Sequence, residues 1–269
     1  MVDEQFIMKC IESDDSRKLT EGAMADDAVF AFDCNPSVSC FNRCCHNLNL
    51  FLYPYDVIRL KHRLKISSDV FLERHVDVVL RDSCYFPEVL LSMAELPDKP
   101  CPFLSPSGCS VYEDRPEACR MFPVEQGVVY HAASGVRRKI HFFKPPEFCQ
   151  GARESKRWTV DAWIQDQGAD EYNRMTRRWS EVKYLFQSDP WAGEGPNGQR
   201  GKMTFMAAYN MDQFRKFVFG SSFLKRYKMA STLREKIRKD DIDLLKVGLA
   251  WIELLVWGKP SSLLRPVKK

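Results

Sequence analysis

The chain has 269 residues, of which 45% are hydrophobic and 28% charged, so it can bury a core without help from metal and forms either one large domain or two small ones. It contains no low-complexity run and no block of like charge, which argues against intrinsic disorder. The net charge of +4, counted with neutral thiols, and the lack of a basic stripe interleaved with aromatic residues argue against nucleic-acid binding.

Residues 1–30 carry many acidic and small side chains and are predicted to form a loosely attached arm with one short helix. Residues 1–9 are acidic and lack the apolar stretch of a secretory signal, so we expect a cytoplasmic protein. Thiols stay reduced in that compartment. Cys10 lies in this arm apart from the other cysteines and is interpreted as an incidental thiol.

Two helices are predicted after an irregular loop that contains several cysteines. The first helix opens at Pro54 and has one apolar face, while Lys61 and its charged neighbours are expected to face water. The second helix is capped by Ser67 or Ser68 and runs to about His75. This region therefore places two short helices directly after the first cysteines.

The hydrophobic period then changes to two, which is typical of strands. Residues 76–80 and 89–93 are predicted to pair across a turn that contains Cys84, and this thiol is interpreted as buried or idle. Residues 128–131 and 139–143 are predicted to form a second hairpin. A small antiparallel sheet is therefore expected in the middle of the chain.

Past residue 151 the pattern is helical, with a break near Gly168 and a connection rich in glycine and proline at residues 192–202. Apolar residues recur at helical spacing over residues 242–256, which predicts a deeply buried helix. The apolar run in this helix is interrupted by Glu253 and is shorter than the ~20 residues that cross a bilayer. A transmembrane segment is therefore not expected.

These elements predict an α+β fold. We expect a cysteine-rich metal-binding domain, with short helices and a small antiparallel sheet, packed against a helical C-terminal half. The predicted divisions are an N-terminal arm at residues 1–30, the cysteine-cluster domain at residues 31–150 and the helical region at residues 151–269.

Eight of the ten cysteines fall in two clusters along the chain. The first cluster is Cys34, Cys40, Cys44 and Cys45, and the second cluster is Cys101, Cys109, Cys119 and Cys149. Thiols grouped in this way in a chain without an export signal are more typical of metal ligands than of disulfides. Because four thiolates complete a structural zinc site or an iron–sulfur cluster, eight are enough for one or two centres.

The adjacent pair Cys44 and Cys45 favours metal over a disulfide. Neighbouring side chains in an extended chain point to opposite sides, so the pair can serve two metal centres or bracket one polynuclear centre. A disulfide between adjacent residues would strain the peptide that joins them.

The second cluster contains two further local signals. A turn after Cys101 is expected to fold Cys109 back toward it, with backbone N–H groups donating to thiolate sulfur. Pro116 is predicted at the first position of a helix, which would place Cys119 near a positive helix end with Arg120 beside it. Both features lower the pKa of a thiol, so Cys119 is predicted to be a thiolate.

The spacing of the cysteines favours an iron–sulfur cluster of the [4Fe–4S] type, with zinc as the alternative. Zinc sites in small domains usually pair their ligands two to four residues apart, and only Cys40 and Cys44 have that spacing. The long gaps in the second cluster suit iron–sulfur ligation better. The five histidines are scattered and are interpreted as surface or packed residues rather than ligands, and His46 is the one that comes nearest to an exception.

Several short motifs occur in a fixed order along residues 32–150. They are Phe32-Asp-Cys34 through Cys44-Cys45, Cys101-Pro-Phe-Leu, Cys109-Ser-Val-Tyr112, Arg115-Pro116-Glu-Ala-Cys119-Arg120-Met-Phe-Pro123 and Cys149. In these motifs the chain resembles the YkgJ-like cysteine-cluster proteins, the CxxCxxCC family described as zinc- or iron-chelating. The gaps in the first cluster are longer than is usual in that family.

The resemblance implies metal binding by the eight clustered cysteines. Relatives that include flagellin lysine-N-methylases also imply an enzymatic branch, in which a cysteine-cluster protein modifies lysines of a partner with S-adenosylmethionine. This chain shows no recognisable motif for that cofactor. A fold or a family does not by itself supply a reaction.

Three functions follow as hypotheses. The first is a protein with one or two thiolate-ligated centres, preferably iron–sulfur, that has a redox or electron-transfer role. The second is a methylase-like enzyme that depends on S-adenosylmethionine, and the third is an interaction module stabilised by zinc. Enzymatic activity and a protein partner stay open at this point, as do the metal and the division of the eight cysteines, while nucleic-acid and membrane partners are not expected.

Overall fold

A computed structural model describes residues 10–11, 21–25, 27–80, 84–131 and 136–267, with the backbone alone for residues 10–11, 130–131 and 136–137. Most of the predicted N-terminal arm, with its short helix and the Cys10 thiol, lies outside the described residues. The same holds for parts of the two predicted hairpin connections.

Ten α-helices occur in the described part of the chain. They are α1 (Pro54–Leu64), α2 (Ser68–Arg74), α3 (Glu117–Met121), α4 (Val160–Asp166), α5 (Asp170–Tyr184), α6 (Gln199–Tyr209), α7 (Met211–Gly220), α8 (Phe223–Arg226), α9 (Ser231–Lys236) and α10 (Asp241–Trp257).

Most of the strands are short, and they are distributed along most of the chain. They are β1 (Cys10–Ile11), β2 (Val29–Ala31), β3 (Val76–Val79), β4 (Glu88–Leu91), β5 (Leu104–Ser105), β6 (Gly108–Cys109), β7 (Val124–His131), β8 (Val136–Phe143), β9 (Arg157–Thr159), β10 (Tyr227–Lys228) and β11 (Arg265–Pro266).

The predicted α+β fold class is confirmed. The two predicted hairpins form as β3 with β4 and as β7 with β8, and β1 joins the second hairpin in parallel with β7. The remaining strands pair as β2 with β9, β5 with β6 and β10 with β11. Since most strands are two to four residues long, they form several small ladders rather than one sheet.

The chain folds into two compact units, each made of two stretches of sequence. The cysteine-rich unit contains Met1–Phe51 and Leu91–Arg177, and the helical unit contains Leu52–Leu90 and Arg178–Lys269. Each unit is defined by contacts in space and combines two separate stretches of sequence. The units therefore do not test the predicted sequence boundaries at residues 30 and 150, which stay predictions.

The cysteine-rich unit is built on an aromatic core that includes one of the clustered cysteines. Trp163 packs edge to face against Phe32, with 5.5 Å between the ring centres, and its indole N–H donates to the Met121 carbonyl at 3.0 Å. The buried members of this core are Phe30, Phe32, Met121, Val124, Cys149, Val160, Trp163 and Ala169. The hydrophobic effect thus fixes the scaffold from which the cysteine loops extend.

The helical unit packs around α10, the apolar helix predicted from its sequence stripe. The N–H groups of Ile242 and Asp243 donate to the Asp240 carboxylate, which caps this helix at its N-terminus. A side chain at Gly248 would overlap the backbone of Ala207, so this glycine lets α6 and α10 approach closely. None of the helices that the structure describes combines the length and the apolar character needed to span a bilayer.

Lys61 corrects one expectation, because α1 does not turn this side chain toward water. Only 4% of Lys61 is exposed, and its ammonium group lies 2.9 Å from Asp212 and 2.7 Å from Asp241. Asp241 also accepts from His62 and Arg215. The two carboxylates supply the negative charge that a buried ammonium group requires, and sequence periodicity alone does not reveal them.

The charge cluster around Asp241 predicts acid-sensitive stability. Burial by itself raises the pKa of Asp241, but hydrogen bonds from His62, Lys61 and Arg215 outweigh it and hold this pKa well below its usual range. The stabilisation is therefore complete above roughly pH 4, the pKa of an unfolded aspartate, and it is lost as the pH falls toward the lower pKa of the folded carboxyl.

We expect Asp241→Asn to lower the free energy of unfolding by about 3 kcal/mol at pH 7, because it leaves a buried ammonium and a guanidinium group undercompensated. Urea unfolding at pH 7 and at pH 3 measures this effect, and the loss should be smaller at pH 3. Asp243→Asn is the control, because its half-buried pair with Lys246 is expected to contribute less than about 1 kcal/mol. Equal losses in the two variants would contradict the prediction.

Candidate metal centre

Backbone hydrogen bonds place the end of the first cysteine cluster against the start of the second. The Cys101 N–H donates to the Cys45 carbonyl at 2.7 Å, and the Asn47 N–H donates to the Lys99 carbonyl at 2.8 Å. Between these bonds His46 pairs with Pro100 as an antiparallel bridge. Two segments that are far apart in sequence therefore run side by side at residues 45 and 101.

The β5–β6 hairpin returns the chain to Cys101. Leu104 pairs with Cys109 across the hairpin, and the Ser110 N–H donates to the Phe103 carbonyl at 2.9 Å. The Leu104 N–H also donates to the Cys101 carbonyl at 3.0 Å, which closes the turn that follows this cysteine. As the turn residues predict, Cys109 folds back toward Cys101.

Helix α3 carries Cys119, with two differences from the prediction. Pro116 is the residue before the helix rather than its first helical residue. The Arg120 guanidinium donates to the Gln167 and Glu113 carbonyls and does not line the cavity that the cysteines line. The arginine that lines this cavity and interacts electrostatically with Cys119 is Arg115.

A second set of backbone contacts places Cys40 beside Cys149. The Gln150 N–H donates to the Cys40 sulfur at 3.1 Å, and the Asp33 N–H donates to the Gly151 carbonyl at 3.0 Å. A β-carbon added at Gly151 would lie 2.7 Å from the Asp33 carbonyl oxygen. A glycine is therefore needed where the chain after Cys149 meets the chain before Cys34.

The electrostatic interactions among the thiols fall into two groups. The Cys149 group contains Cys34, Cys40, Cys44 and Cys149, and the Cys101 group contains Cys45, Cys101, Cys109 and Cys119. Each group combines cysteines from regions of the sequence that are far apart. The first and second clusters of the sequence are thus mixed in three dimensions.

In the Cys149 group, burial and neighbouring thiols both oppose the ionisation of Cys34 and Cys149. Burial raises the pKa of Cys34 to about 11, with further contributions from Cys44, Cys40 and Cys149. Burial also raises the pKa of Cys149, while the N–H groups of Ala152 and Gly151 donate to its sulfur and partly offset this effect. A bound cation would relieve the repulsion between such thiolates.

In the Cys101 group the same causes act. Burial raises the pKa of Cys101 to about 11, although the Phe103 and Leu104 N–H groups donate to its sulfur and limit the rise. A hydrogen bond to Cys44 raises the pKa of Cys45, and burial and the Cys44, Cys119 and Cys101 thiols add to this effect.

Cys44 and Cys45 connect the two groups. They lie on one short 3-10 turn, Arg43–Cys45, rather than on the extended chain that the sequence suggested. Their sulfurs are hydrogen bonded to each other, which lowers the pKa of Cys44 and raises that of Cys45. The two groups of thiols are therefore adjacent, and each contributes one member of this pair.

The eight clustered cysteines are thiols and form no disulfide. Cys34 is exposed, Cys149 is buried and the other six are half-buried. Within the described residues, no three histidine, cysteine, aspartate or glutamate side chains already stand close enough to form a metal-binding set. The structure thus brings the thiols into the Cys149 group and the Cys101 group, and metal binding would draw the sulfurs of each group further together.

The donor set fits a soft metal. Thiolates bind zinc and iron–sulfur clusters, whereas calcium and magnesium prefer oxygen ligands. Backbone N–H groups are directed at the sulfurs of Cys40, Cys101 and Cys149. Hydrogen bonds of this kind stabilise thiolate charge and tune a bound centre. All eight cysteines could therefore hold zinc or iron, while Cys84 belongs to the helical unit and lines no part of this region.

A cavity of about 1430 Å³ opens beside the thiols within the cysteine-rich unit. Six of the eight cysteines line it: Cys34, Cys44, Cys45, Cys101, Cys109 and Cys119. Four cations on its wall lie over aromatic rings that also line it, in the pairs Arg43 with Phe148, Arg115 with Tyr112, Lys144 with Phe142 and Lys156 with Trp158. Sequence reasoning missed these pairs, because each depends on a contact in space.

Residues 33–154, somewhat less than half of the chain, match the CxxCxxCC family, whose description is "Putative zinc- or iron-chelating domain". The match confirms the resemblance to the YkgJ-like cysteine-cluster family for this segment, and it includes both clusters. No curated protein and no solved structure gives a significant match. The family supports zinc or iron chelation by this segment and does not choose between the two metals.

The close approach at Gly151 yields a testable prediction. We expect Gly151→Ala to lower the free energy of unfolding by about 2 kcal/mol, because the new methyl group would press on the Asp33 backbone. Thermal unfolding of the metal-free protein measures the loss. Gly220→Ala is the matched control, since a β-carbon there has no neighbour within 4 Å, and equal stability of the two variants would contradict the prediction.

Proposed function

We propose that this protein holds two thiolate-ligated iron–sulfur centres, one in each group of four cysteines, and that they serve a redox or electron-transfer role. The observation that carries the proposal is the division of eight thiols into two adjacent groups of four, joined at Cys44 and Cys45. Four thiolates are the usual ligand set of a [4Fe–4S] cluster. The family match supports zinc or iron chelation by the same segment.

An iron–sulfur cluster, when bound, supplies one-electron oxidation and reduction. The residues of this chain would hold it, shield it and stabilise its charge. Cys149 is 7% exposed, and its sulfur accepts from two backbone N–H groups, so it would hold a centre away from water. Because Cys44 and Cys45 are in contact, two centres would lie close together, which favours electron transfer between them.

The backbone N–H groups directed at sulfur favour iron–sulfur over zinc in this proposal. Such donors stabilise the extra negative charge of a reduced cluster and thereby affect its potential. A zinc ion has no redox chemistry that they could tune. We also propose a cytoplasmic location, where reducing conditions keep the eight ligands available.

Metal and sulfide analysis after anaerobic purification tests this function. We expect iron and acid-labile sulfide in similar amounts, with absorption that bleaches on reduction. Zinc without sulfide would overturn the iron–sulfur proposal and would indicate that the protein is an interaction module stabilised by zinc. The absence of both metals from protein expressed with iron and zinc would overturn the whole proposal.

Single substitutions test the division into two groups. Cys149→Ser and Cys101→Ser should each remove roughly half of the iron and sulfide, and the double variant should remove nearly all of it, because each change removes a ligand from a different four-thiolate centre. Cys84→Ser is the matched control and should keep the full content. Complete loss in either single variant would contradict two independent centres and would indicate one shared centre.

A second candidate function is a methylase-like enzyme that uses S-adenosylmethionine. The observation that favours it is the cavity of about 1430 Å³, which exceeds the ~300–1,000 Å³ of most ligand pockets. Metal–sulfur bonds of ~2.3 Å confine a centre to the space directly between its ligands. The remaining volume, next to six of the cysteines, could admit a substrate together with this cofactor.

Calorimetry with S-adenosylmethionine and the metal-loaded protein tests this candidate. Binding should weaken by roughly tenfold in Phe148→Ala, since base–aromatic stacking contributes ~1–3 kcal/mol and Phe148 lines the cavity. Phe219→Ala is the matched control, because this ring also lies against an arginine, Arg238, but belongs to the helical unit. No heat of binding to the wild-type protein would reject the methylase-like function.

A further inference from the structure

The Arg115 side chain is a buried cation on the wall of the cysteine-lined cavity. Only 7% of this residue is exposed. Its guanidinium group donates to the Tyr112 carbonyl at 2.7 Å and to the Gln167 side-chain oxygen at 2.6 Å, and it lies over the Tyr112 ring at 3.9 Å. Because two of its nitrogens donate to different acceptors, these contacts fix both the position and the orientation of the guanidinium group.

These partners satisfy the hydrogen bonds of Arg115 but not its charge. Both acceptors are neutral, and among the described residues no carboxylate lies within ion-pair distance of this guanidinium. A buried cation with no anion in direct contact is costly. Burial lowers the pKa of Arg115, and the Arg120 cation adds to this fall, while interactions with Tyr112, Cys119 and the Glu113 carboxylate oppose it.

The position of Arg115 shows where a countercharge can come from. Cys119 lies four residues further on, at helix α3, and both residues line the cavity together with Cys45, Cys101 and Cys109. Four thiolates with one Zn²⁺, or with a [4Fe–4S] core, carry a net negative charge. Metal binding would therefore create the anion beside this cation.

We propose that Arg115 is a positioning residue whose buried charge stabilises the metal–thiolate centre of the Cys101 group. This inference rests on the proposed function and adds a residue outside the ligand set. Before metal binds, the four thiols are neutral when protonated, and after binding the site is an anion. The cation at residue 115 thus favours the metal-bound form over the metal-free form. In an iron–sulfur centre it also favours the reduced form, which is more negative.

Arg120 provides a matched control. It is equally buried at 6% exposure, it stacks on the Tyr172 ring at 4.4 Å, and it donates to the Gln167 carbonyl, so it anchors the same turn as Arg115. It does not line the cavity. Loss of Arg120 therefore removes a comparable structural contact without removing the charge that faces the thiols.

Competition titration of the zinc-loaded full-length protein with a chelator of known affinity tests the inference, with zinc as the probe. Arg115→Gln should weaken the binding of one of the two zinc equivalents, the one in the Cys101 group, by roughly tenfold or more, and leave the other unchanged. This is the effect of one unit charge at an effective dielectric constant of about 20. Arg115→Lys keeps the charge and should restore most of the affinity. Arg120→Gln should stay close to the wild type.

The outcomes separate this inference from the proposed function. Equal affinities of wild type, Arg115→Gln and Arg120→Gln, or equal losses in the two glutamine variants, would overturn the charge role. If Arg115→Gln fails to fold, Arg115→Lys decides, because retained affinity supports a charge effect and lost affinity indicates a structural one. A wild-type protein that binds no metal would instead overturn the proposed function.

If the protein is isolated with iron and sulfide, redox titration gives an independent readout. Arg115→Gln should shift one midpoint potential to a lower value, since the reduced centre loses a neighbouring cation. Arg115→Lys should return it toward the wild-type potential, and Arg120→Gln should leave it nearly unchanged. An unshifted potential in Arg115→Gln would contradict the inference.

Discussion

The geometry of the site depends on a few backbone hydrogen bonds that join loops far apart in the sequence. The bond from the Cys101 N–H to the Cys45 carbonyl and the bond from the Gln150 N–H to the Cys40 sulfur each bring one cysteine cluster to the other. Cys149, the residue before Gln150, is itself a buried member of the aromatic core of this unit. Because backbone groups that leave water need partners, the pairing of the loops is energetically coupled to the folding of this core.

This arrangement makes ionisation without metal unfavourable for four of the thiols, those of Cys34, Cys45, Cys101 and Cys149. Burial raises the pKa of Cys34 and of Cys101, and neighbouring thiols add to the effect in both groups. Backbone N–H donors at Cys149 and the buried Arg115 near Cys119 act in the opposite direction, because they stabilise negative charge. A bound cation would resolve the conflict, which is the physical link between the fold of this unit and the chelation that its family describes.

The helical unit also contains a buried cation, but carboxylates rather than thiols surround it. Lys61 is nearly inaccessible, yet Asp212 and Asp241 lie within 3 Å of its ammonium group. Here fixed carboxylates provide the countercharge at ion-pair distance. In the cysteine-rich unit the guanidinium of Arg115 donates to neutral acceptors, and its favourable charge interactions are those with Tyr112, Cys119 and Glu113. A buried cation that already contacts carboxylates needs no further partner, while one without such a contact can be stabilised by an anion that forms when metal binds.

The sequence by itself determined the α+β class, the hairpins, the buried helix α10 and the candidate set of eight cysteines, because local periodicity, turn residues and the chemistry of thiols are readable one segment at a time. Only the tertiary structure decided that Cys45 stands with Cys101, that Lys61 is buried and that Arg115 rather than Arg120 faces the thiols. Each of these facts depends on which distant segments pack together. That choice is made by long-range hydrogen bonds and core packing, which no local pattern records.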